Sequence, residues 1–281
     1  MDRVPIRRFA EDQIKRYSRQ IILPEVGGSG QRKLLDSRVL IVGAGGLGSA
    51  AIAYLAAAGI GTLGIVDNDV VEISNLQRQI IHGGNIGMPK ARSAESFVRT
   101  INSDVDVIAY EERLYAGNAS EMIKGYDFVI DGSDNFPTHY LINDACVIEK
   151  RPFSHGSILR YEGYAMTYVP SKGPCYRCIF KKPPPAGLIP SCQEAGVFGV
   201  LPGVIGTIQA SEAIKYLLGI GELLIGRLLC FNALDISFFE AVAEKNEKCD
   251  ICGDHSSILE IDGKNYIETP DRECSLDSYD R

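Results

Sequence analysis

Residues 38–48, with the sequence RVLIVGAGGLG, decide the fold of this chain. The apolar run Arg38–Val42 has the length and composition of a buried strand. Four glycines of one loop follow it: Gly43, Gly45, Gly46 and Gly48. Glycines permit a tight turn and a close approach of the backbone to a ligand, and the N–H groups that open the next helix can then bind phosphate. The stretch therefore predicts a strand, a nucleotide-binding loop and a helix.

An acidic residue and two cations follow this loop along the chain. Asp67 stands 24 residues after Gly43 at the end of an apolar run, where a carboxylate can hold ribose hydroxyls. A site for NAD needs no more than these residues. Here Arg78, within Asn75–Gln79, and then Lys90 follow. Two fixed cations beside a phosphate pocket favour a triphosphate whose charge is neutralised during reaction.

The hydrophobic pattern predicts a doubly wound α/β fold with a mostly parallel, Rossmann-like sheet. Its predicted strands are Arg38–Val42, Thr62–Val66, Val105–Tyr110, Phe128–Asp131 and Pro152–His155. Three later runs predict antiparallel strands at the sheet edge: Tyr161–Val169, Arg227–Phe231 and Ser237–Val242. Helices are expected from Pro89 to about Asn102, from Thr138 to Lys150 and from Leu201 to Leu218. Lys181–Gly187, rich in proline, is expected to form an exposed crossover.

Composition bounds the class of protein. With 281 residues and 45% hydrophobic content, the chain can bury one substantial core. We expect one domain over residues 1–252, including an N-terminal helical segment, and an acidic, irregular tail over residues 253–281. A net charge of −7 with scattered Lys and Arg argues against a nucleic-acid partner.

The sequence also bears on compartment and membranes. The first twenty residues are rich in charge and lack the apolar centre of a signal peptide. The uncharged run Gly45–Val66 is long enough to span a membrane, but Gly59–Thr62 interrupts it, which favours a buried helix followed by a buried strand. Eight cysteines without a secretion signal indicate a reducing compartment, and we expect a cytoplasmic protein.

Two CxxC pairs form the most specific cysteine pattern of the chain. They are Cys175 with Cys178 and Cys249 with Cys252. Four thiolates on two tight turns match a closed, tetrahedral structural zinc site. An iron–sulfur cluster or two redox pairs are the alternatives. His255 continues the spacing of the second pair and could replace a cysteine, although an exposed histidine beside the site is the simpler interpretation.

Asp134 follows the predicted strand Phe128–Asp131, at the sheet edge where open α/β sheets bind ligands. Its carboxylate could hold Mg²⁺ on a triphosphate. Alternatively, Asp134 caps the helix that follows, as Asp often does at such a turn. Its combination with the glycine loop, Asp67, Arg78 and Lys90 favours the metal role. His155, at another strand end, is interpreted as a polar packing residue.

Taken together, these residues resemble the MoeB/ThiF type of adenylyltransferase in the ubiquitin-activating-enzyme superfamily, from about Tyr17 to Cys252. The motifs that carry the resemblance are Arg16–Gln20, the glycine loop, Asp67, Asn75–Gln79, Lys90, Asp134 and both CxxC pairs. The resemblance implies ATP-dependent adenylation of the C-terminal glycine of a ubiquitin-like sulfur carrier of the MoaD or ThiS kind. It also implies a homodimer in which Arg19 reaches the partner's ATP site, while Asn75, Arg78, Lys90 and Asp134 act on the nucleotide and Mg²⁺.

Cys192 matches the position of the transfer cysteine in this family, and the resemblance implies either sulfur transfer or a nonessential loop thiol. No sulfurtransferase domain follows the second CxxC pair, so sulfur is expected from a separate donor protein. Three rivals stay open at this point: an NAD(P)-dependent oxidoreductase, a noncatalytic module that docks a ubiquitin-like partner, and an enzyme that adenylates a short peptide.

Overall fold

The computed structural model describes residues 9–185 and 195–266, and these residues contain an eight-stranded sheet. Its strands are β1 (Arg38–Val42), β2 (Thr62–Val66), β3 (Asp106–Tyr110), β4 (Phe128–Asp131), β5 (Phe153–Leu159), β6 (Glu162–Tyr168), β7 (Arg227–Asn232) and β8 (Ser237–Val242). Their order is β3-β2-β1-β4-β5-β6-β7-β8. Strands β1 to β5 pair in parallel, and β6 to β8 are added antiparallel, as predicted.

The helices of the described residues flank this sheet. They are α1 (Glu11–Ile21), α2 (Gly27–Asp36), α3 (Gly46–Ala58), α4 (Lys90–Ile101), α5 (Ala119–Lys124), α6 (Phe136–Ile148), α7 (Tyr176–Ile179) and α8 (Leu201–Leu218). Short 3₁₀ helices cover Ile73–Asn75, Ile80–His82 and Gly263–Tyr266. None of the helices in the described ranges is long and apolar enough to cross a membrane.

The side chains of β1 show how the sheet makes two cores. Successive side chains of a strand point to opposite faces. Val39 and Ile41 pack with α3, α4 and α8, whereas Leu40 and Val42 pack with α5, α6 and α7. All four are at most 4% exposed. A strand buried on both faces needs such a continuous apolar run.

Several predicted elements differ from the observed bounds by one or two residues, and two boundaries differ for a clear physical reason. Strand β5 continues to Leu159 because its second half pairs antiparallel with β6, from Phe153 opposite Tyr168 onward. Helix α6 begins at Phe136 because the Asn135 side chain accepts the Thr138 N–H and caps the first turn. The tail is not irregular throughout, since it forms a 3₁₀ turn whose Tyr266 hydroxyl donates to Asp144 Oδ2 at 2.7 Å.

From β1 the strands are added on one side as β2 and β3, and on the other side as β4 and β5. An open α/β sheet has a crevice where the strand order reverses, and here it lies between β1 and β4. Gly43 follows β1 and Gly132 follows β4. Gly43 has φ +91°, and a Cβ at this position would stand 2.6 Å from the Gly132 carbonyl oxygen. The fold therefore requires glycine here, and it places the loop after β1 directly against the turn after β4.

Candidate functional site

The glycine loop is fixed by a carboxylate at the end of β2. Asp67 Oδ2 accepts the Ala44 N–H at 2.8 Å, and its Oδ1 accepts the Asp69 N–H at 2.9 Å. Burial raises the pKa of Asp67 above its ordinary value, and these hydrogen bonds oppose the rise. A Cβ at Gly48 would lie 1.9 Å from the Gly43 oxygen, so the first turn of α3 must carry glycine there. The structure thus brings the predicted loop and Asp67 together.

A buried histidine fixes the same loop from its other side. His82 Nε2 donates to the Ala44 carbonyl at 2.8 Å, and its Nδ1 accepts from the Ser93 hydroxyl at 2.9 Å. Asn85 Nδ2 donates in turn to Ser93 Oγ at 2.9 Å. Burial lowers the pKa of His82, so the ring is neutral as this pattern requires. Sequence reasoning missed this residue because its two partners, Ala44 and Ser93, come from segments that are distant from it in sequence.

Arg78 and Gln79 border the opening of α3. A Cβ built on Gly46 would lie 3.7 Å from Arg78 Cγ, and one built on Gly45 would lie 3.7 Å from Gln79 Nε2. Gln79 is 4% exposed, and its Oε1 has no hydrogen-bond partner within the described residues. An unpaired buried oxygen beside a phosphate-binding loop fits a site that a polar ligand completes.

Lys90 and Asp69 form an ion pair on the same side of the loop. Lys90 Nζ lies 2.9 Å from Asp69 Oδ2, and the Lys90 side chain is 8% exposed while that of Asp69 is 62% exposed. The ammonium group is therefore held in place largely within the protein, with a solvated partner that a phosphate can replace. Asn75 lies in the same short segment as Arg78, and its Oδ1 accepts the Glu72 N–H at 2.9 Å.

Asp134 is exposed in the turn between β4 and α6. The capping interpretation of this residue is wrong, because the cap of α6 is Asn135, whose Oδ1 accepts the Thr138 N–H at 3.0 Å. Asp134 follows Gly132, which packs against the glycine loop. Its exposed position at the carboxyl end of the parallel strands is the one that the metal role requires.

A buried carboxylate lies directly behind this turn. Asp131 Oδ2 accepts hydrogen bonds from His155 Nδ1 at 2.7 Å and His139 Nδ1 at 2.9 Å. Burial acts to raise the pKa of Asp131, but the adjacent His139 and the hydrogen bonds from both imidazoles hold it below its ordinary value. Burial lowers the pKa of His155. The packing interpretation of His155 thus gives only part of its role, since the ring also binds a charged group.

The four cysteines of the CxxC pairs converge on one point. Their sulfur atoms lie within 4.8 Å of one another, with Sγ–Sγ distances of 3.9 Å for Cys175–Cys178, 3.6 Å for Cys175–Cys249 and 3.4 Å for Cys178–Cys252. Tetrahedral Zn–S bonds of about 2.3 Å require sulfur atoms about 3.8 Å apart, so the cluster is compatible with zinc. His255 is exposed and stands outside the cluster, as the simpler interpretation had it.

Arg19 lies apart from the other predicted residues. It is exposed on α1, and the neighbouring Gln20 donates to the Ala58 carbonyl at the last turn of α3. The glycine loop is at the opposite end of α3, about 20 Å away for 13 residues at 1.5 Å each. Arg19 therefore does not join the site of its own chain. Cys192 lies outside the described residues.

Comparison with known proteins identifies the family. The model of the ThiF family matches residues 17–251. The chain belongs to the ThiF family. A SAMP-activating enzyme E1 from Haloferax volcanii is 52% identical to this ThiF-family chain over 92% of it and 95% of the relative. A sulfur carrier protein adenylyltransferase from Thermus thermophilus is 47% identical over 90% and 96% of the two chains. These findings confirm the resemblance and the predicted enzyme class.

Longer relatives and solved structures agree with this placement. An adenylyltransferase and sulfurtransferase, MOCS3, from Arabidopsis thaliana is 48% identical, and the ThiF-family chain covers 92% of its own length but 56% of that relative. The structure of Escherichia coli MccB in complex with MccA-N7isoASN matches 85% of the chain and 75% of MccB, with a TM-score of 0.76 at 23% identity. That structural likeness confirms the predicted α/β fold.

Proposed function

We propose that this chain uses ATP to adenylate the C-terminal glycine of a ubiquitin-like sulfur carrier and releases pyrophosphate. The observation that carries the proposal is the convergence, at one crevice, of a phosphate-binding loop with Arg78, Lys90 and Asp134. Hydride transfer consumes no triphosphate, so two cations and a carboxylate beside a phosphate-binding loop favour adenylation over an oxidoreductase. The names of the Haloferax and Thermus relatives support a sulfur carrier as the substrate.

The reaction needs positioned charge and no general base. A C-terminal carboxylate has an ordinary pKa of about 3.5, so it is already an anion at neutral pH. One of its oxygens attacks the α-phosphorus of ATP, and the bond from that phosphorus to the bridging oxygen of pyrophosphate breaks. The main barrier is electrostatic repulsion between two anions. Cations that the protein already holds in place lower this barrier, because they need no reorganisation during the reaction. Arg78 and Lys90 are these cations in the proposal.

Mg²⁺ belongs to the proposal as the companion of ATP. Asp134 would hold it, since a carboxylate oxygen is the ligand that this ion prefers and Asp134 is not engaged as a helix cap. Mg²⁺ supplies charge neutralisation at the phosphates. Asn75 would bind the nucleotide through the same loop that carries Arg78. The zinc ion would be structural, because four thiolates leave no open position.

A homodimer completes the proposed site. Arg19 is exposed at the far end of α3 from the glycine loop of its own chain. A cation at that position is far from the glycine loop of its own chain, which supports a role at the nucleotide of a second copy. We therefore assign Arg19 to the partner's ATP site, where it would add positive charge next to the phosphates.

A protein substrate needs a docking surface, and the sheet edge offers one. Strand β8 carries Phe238, Phe239 and Val242, which are 51%, 59% and 83% exposed. Large apolar side chains gathered on one exposed edge are typical of protein interaction sites. In the proposal the folded part of the carrier covers this strand while its C-terminus enters the crevice.

Sulfur transfer follows adenylation in the proposal. After pyrophosphate has left, the Cys192 thiolate would attack the acyl carbon of the adenylate, so that a thioester bond forms and AMP leaves. Sulfur at the sulfide level from a separate donor protein would then displace the Cys192 thiolate and leave a thiocarboxylate. A thiol is not needed for attack by a carboxylate on phosphorus. A reducing compartment such as the cytoplasm would keep this thiol and the zinc ligands reduced.

Mass spectrometry of a sulfur carrier after incubation with the enzyme and MgATP tests the proposal. We expect a carrier species that has gained AMP, and its conversion to a thiocarboxylate when a sulfur donor is added. The Cys192→Ser enzyme should form the adenylate at the normal rate and fail in the second step. A carrier that stays unmodified with the wild-type enzyme contradicts the proposed function, and a full thiocarboxylate yield with Cys192→Ser contradicts the role of that cysteine alone.

A further inference from the structure

The buried cluster behind the Asp134 turn is built from three elements of the fold. Asp131 ends β4, His139 lies in α6 and His155 lies in β5. Asp131 and His155 are 0% exposed and His139 is 5% exposed. The two imidazole rings meet edge to face with centroids 4.6 Å apart, and both Nδ1 atoms point to the same carboxylate oxygen. Adenylation as derived above makes no use of either histidine.

Asp131 in turn holds the backbone that leads to Asp134. Its Oδ1 accepts the Ser133 N–H at 3.2 Å and the Ser133 hydroxyl at 2.6 Å. The Asp131 carbonyl accepts from Gln209 Nε2 of α8 at 2.7 Å. The residue that precedes Asp134 is therefore tied by two hydrogen bonds to a carboxylate whose own orientation depends on two histidines.

The charge of Asp131 makes the two histidines necessary. An ionised carboxylate away from water is costly unless hydrogen bonds satisfy its oxygens. His139 and His155 supply two donors to Oδ2, and Ser133 supplies two to Oδ1. Removing an imidazole leaves Oδ2 with one donor, and the carboxylate can then turn toward water or another partner. The Ser133 contacts would move with it.

We propose that His139 and His155 are positioning residues for adenylation, which act through Asp131 and Ser133 to hold Asp134 where it binds Mg²⁺ on ATP. The inference rests on the proposed function, because Mg²⁺ is assigned to Asp134 there. Supporting residues of this kind change metal affinity by about 10- to 100-fold when removed. Their loss acts on Mg²⁺ and leaves the glycine loop, which Asp67 and His82 fix separately, unchanged.

The same three side chains could instead hold a second metal ion, since their ligand atoms lie within 4.8 Å of one another. The geometry favours the hydrogen-bonded network. Both Nδ1 atoms already lie within direct hydrogen-bond distance of one oxygen, at 2.7 and 2.9 Å. Metal content is therefore measured in the test, and a second bound ion would overturn the proposal.

The experiment measures ATP binding and pyrophosphate exchange across a series of Mg²⁺ concentrations in His139→Leu, His155→Leu and Tyr126→Phe enzymes. Tyr126→Phe is the matched control, because it also removes a buried polar group, and the hydroxyl it removes pairs with the Tyr110 hydroxyl at 3.1 Å and not with the Asp131 cluster. We expect both leucine variants to need about tenfold more Mg²⁺ for half-maximal exchange and to recover at saturating Mg²⁺, with little change in the KM for ATP. The control should follow the wild type.

Folding is verified by zinc content and circular dichroism. If a leucine variant does not fold, the nearly isosteric Asp131→Asn and His155→Asn variants decide. Asp131→Asn should show the Mg²⁺ shift, and His155→Asn, which keeps an amide donor close to the former Nδ1, should restore most of the affinity. An unchanged Mg²⁺ requirement in folded variants, or loss of a second metal ion from them, overturns the inference. A wild-type enzyme that binds no MgATP overturns the proposed function itself.

Discussion

Lys90 shows most clearly how a single residue prepares the site. Its ammonium group is nearly enclosed by protein, while its partner Asp69 remains solvated. Preorganised charge of this kind is the main source of acceleration in a reaction between anions. We expect Lys90→Ala, Arg78→Ala and Asp134→Ala each to slow pyrophosphate exchange by about 10²-fold or more. The fold should survive, because Arg78 and Asp134 are not buried and Asp69 can be solvated when Lys90 is gone.

Lys124→Ala is a suitable control for these variants, since Lys124 is an exposed lysine on α5 whose ion-pair partner is Glu121 of the same helix. It should exchange pyrophosphate at the normal rate. If Lys90→Ala, Arg78→Ala or Asp134→Ala does the same at saturating Mg²⁺ and carrier, that residue has no part in the mechanism.

The protonation of His82 makes the stability of the fold depend on pH. Burial lowers its pKa below the ordinary value of 6.5. As the pH falls, His82 is therefore protonated at a higher pH in the unfolded chain than in the folded chain. This histidine therefore contributes stability that is present above pH 6.5 and is lost as the pH falls toward its folded pKa. We expect the free energy of unfolding, measured with denaturant, to fall between pH 7 and about pH 5.

His82→Gln isolates this contribution. A glutamine amide can donate to the Ala44 carbonyl in place of Nε2–H, and it does not titrate in this range. The variant should lose less stability than the wild type over the same pH interval. Parallel curves for the two proteins would mean that protonation of His82 does not contribute.

At the scale of elements, the cluster of four cysteines is the part whose stability we expect to depend most on a bound metal ion. Four thiols lie at Sγ–Sγ distances of 3.4 to 3.9 Å, close to the spacing that one tetrahedral metal ion imposes on its sulfur ligands. Asn246 donates its N–H to Cys178 Sγ at 3.4 Å, which suits a thiolate. We expect one zinc per chain, and elemental analysis that finds none, or finds iron with inorganic sulfide, contradicts this expectation.

Zinc removal should loosen the C-terminal part of the chain first. A second effect follows from Tyr176, which is adjacent to Cys175 and packs on His155 with ring centroids 4.6 Å apart. Chelation should therefore raise the Mg²⁺ requirement of exchange before activity is lost altogether. Normal Mg²⁺ dependence in a zinc-free but folded protein would show that the cluster of four cysteines and the site are independent.

The strands were predictable because each is a short apolar run between turn residues. β1, β2, β4 and β8 have the bounds that the sequence indicated. The end of β5 was not predictable, since it depends on pairing with β6. In the same way the glycine loop, Asp67 and the CxxC pairs are local patterns, whereas the cluster of Asp131, His139 and His155 exists only once three elements pack together. The cap at Asn135 was missed because two adjacent residues can both cap a helix.

At the scale of the whole molecule, we propose that a second copy completes the site by contributing Arg19. Arg19→Ala and Asp134→Ala proteins should each be nearly inactive alone. A mixed dimer contains one site with both residues intact, so mixing the two proteins should restore activity to a substantial fraction of wild type. Failure to recover exchange after demonstrated subunit exchange would contradict a role for Arg19 across the dimer.

ATP–pyrophosphate exchange with a panel of purified ubiquitin-like carriers tests the central claim most directly, because it reports formation of the acyl-adenylate alone. The account predicts exchange that requires Mg²⁺, depends on a carrier ending in Gly-Gly and disappears when the terminal glycine is removed. No exchange with any carrier, or equal exchange with a short peptide that lacks the carrier fold, would contradict the claim that this chain activates a ubiquitin-like sulfur carrier.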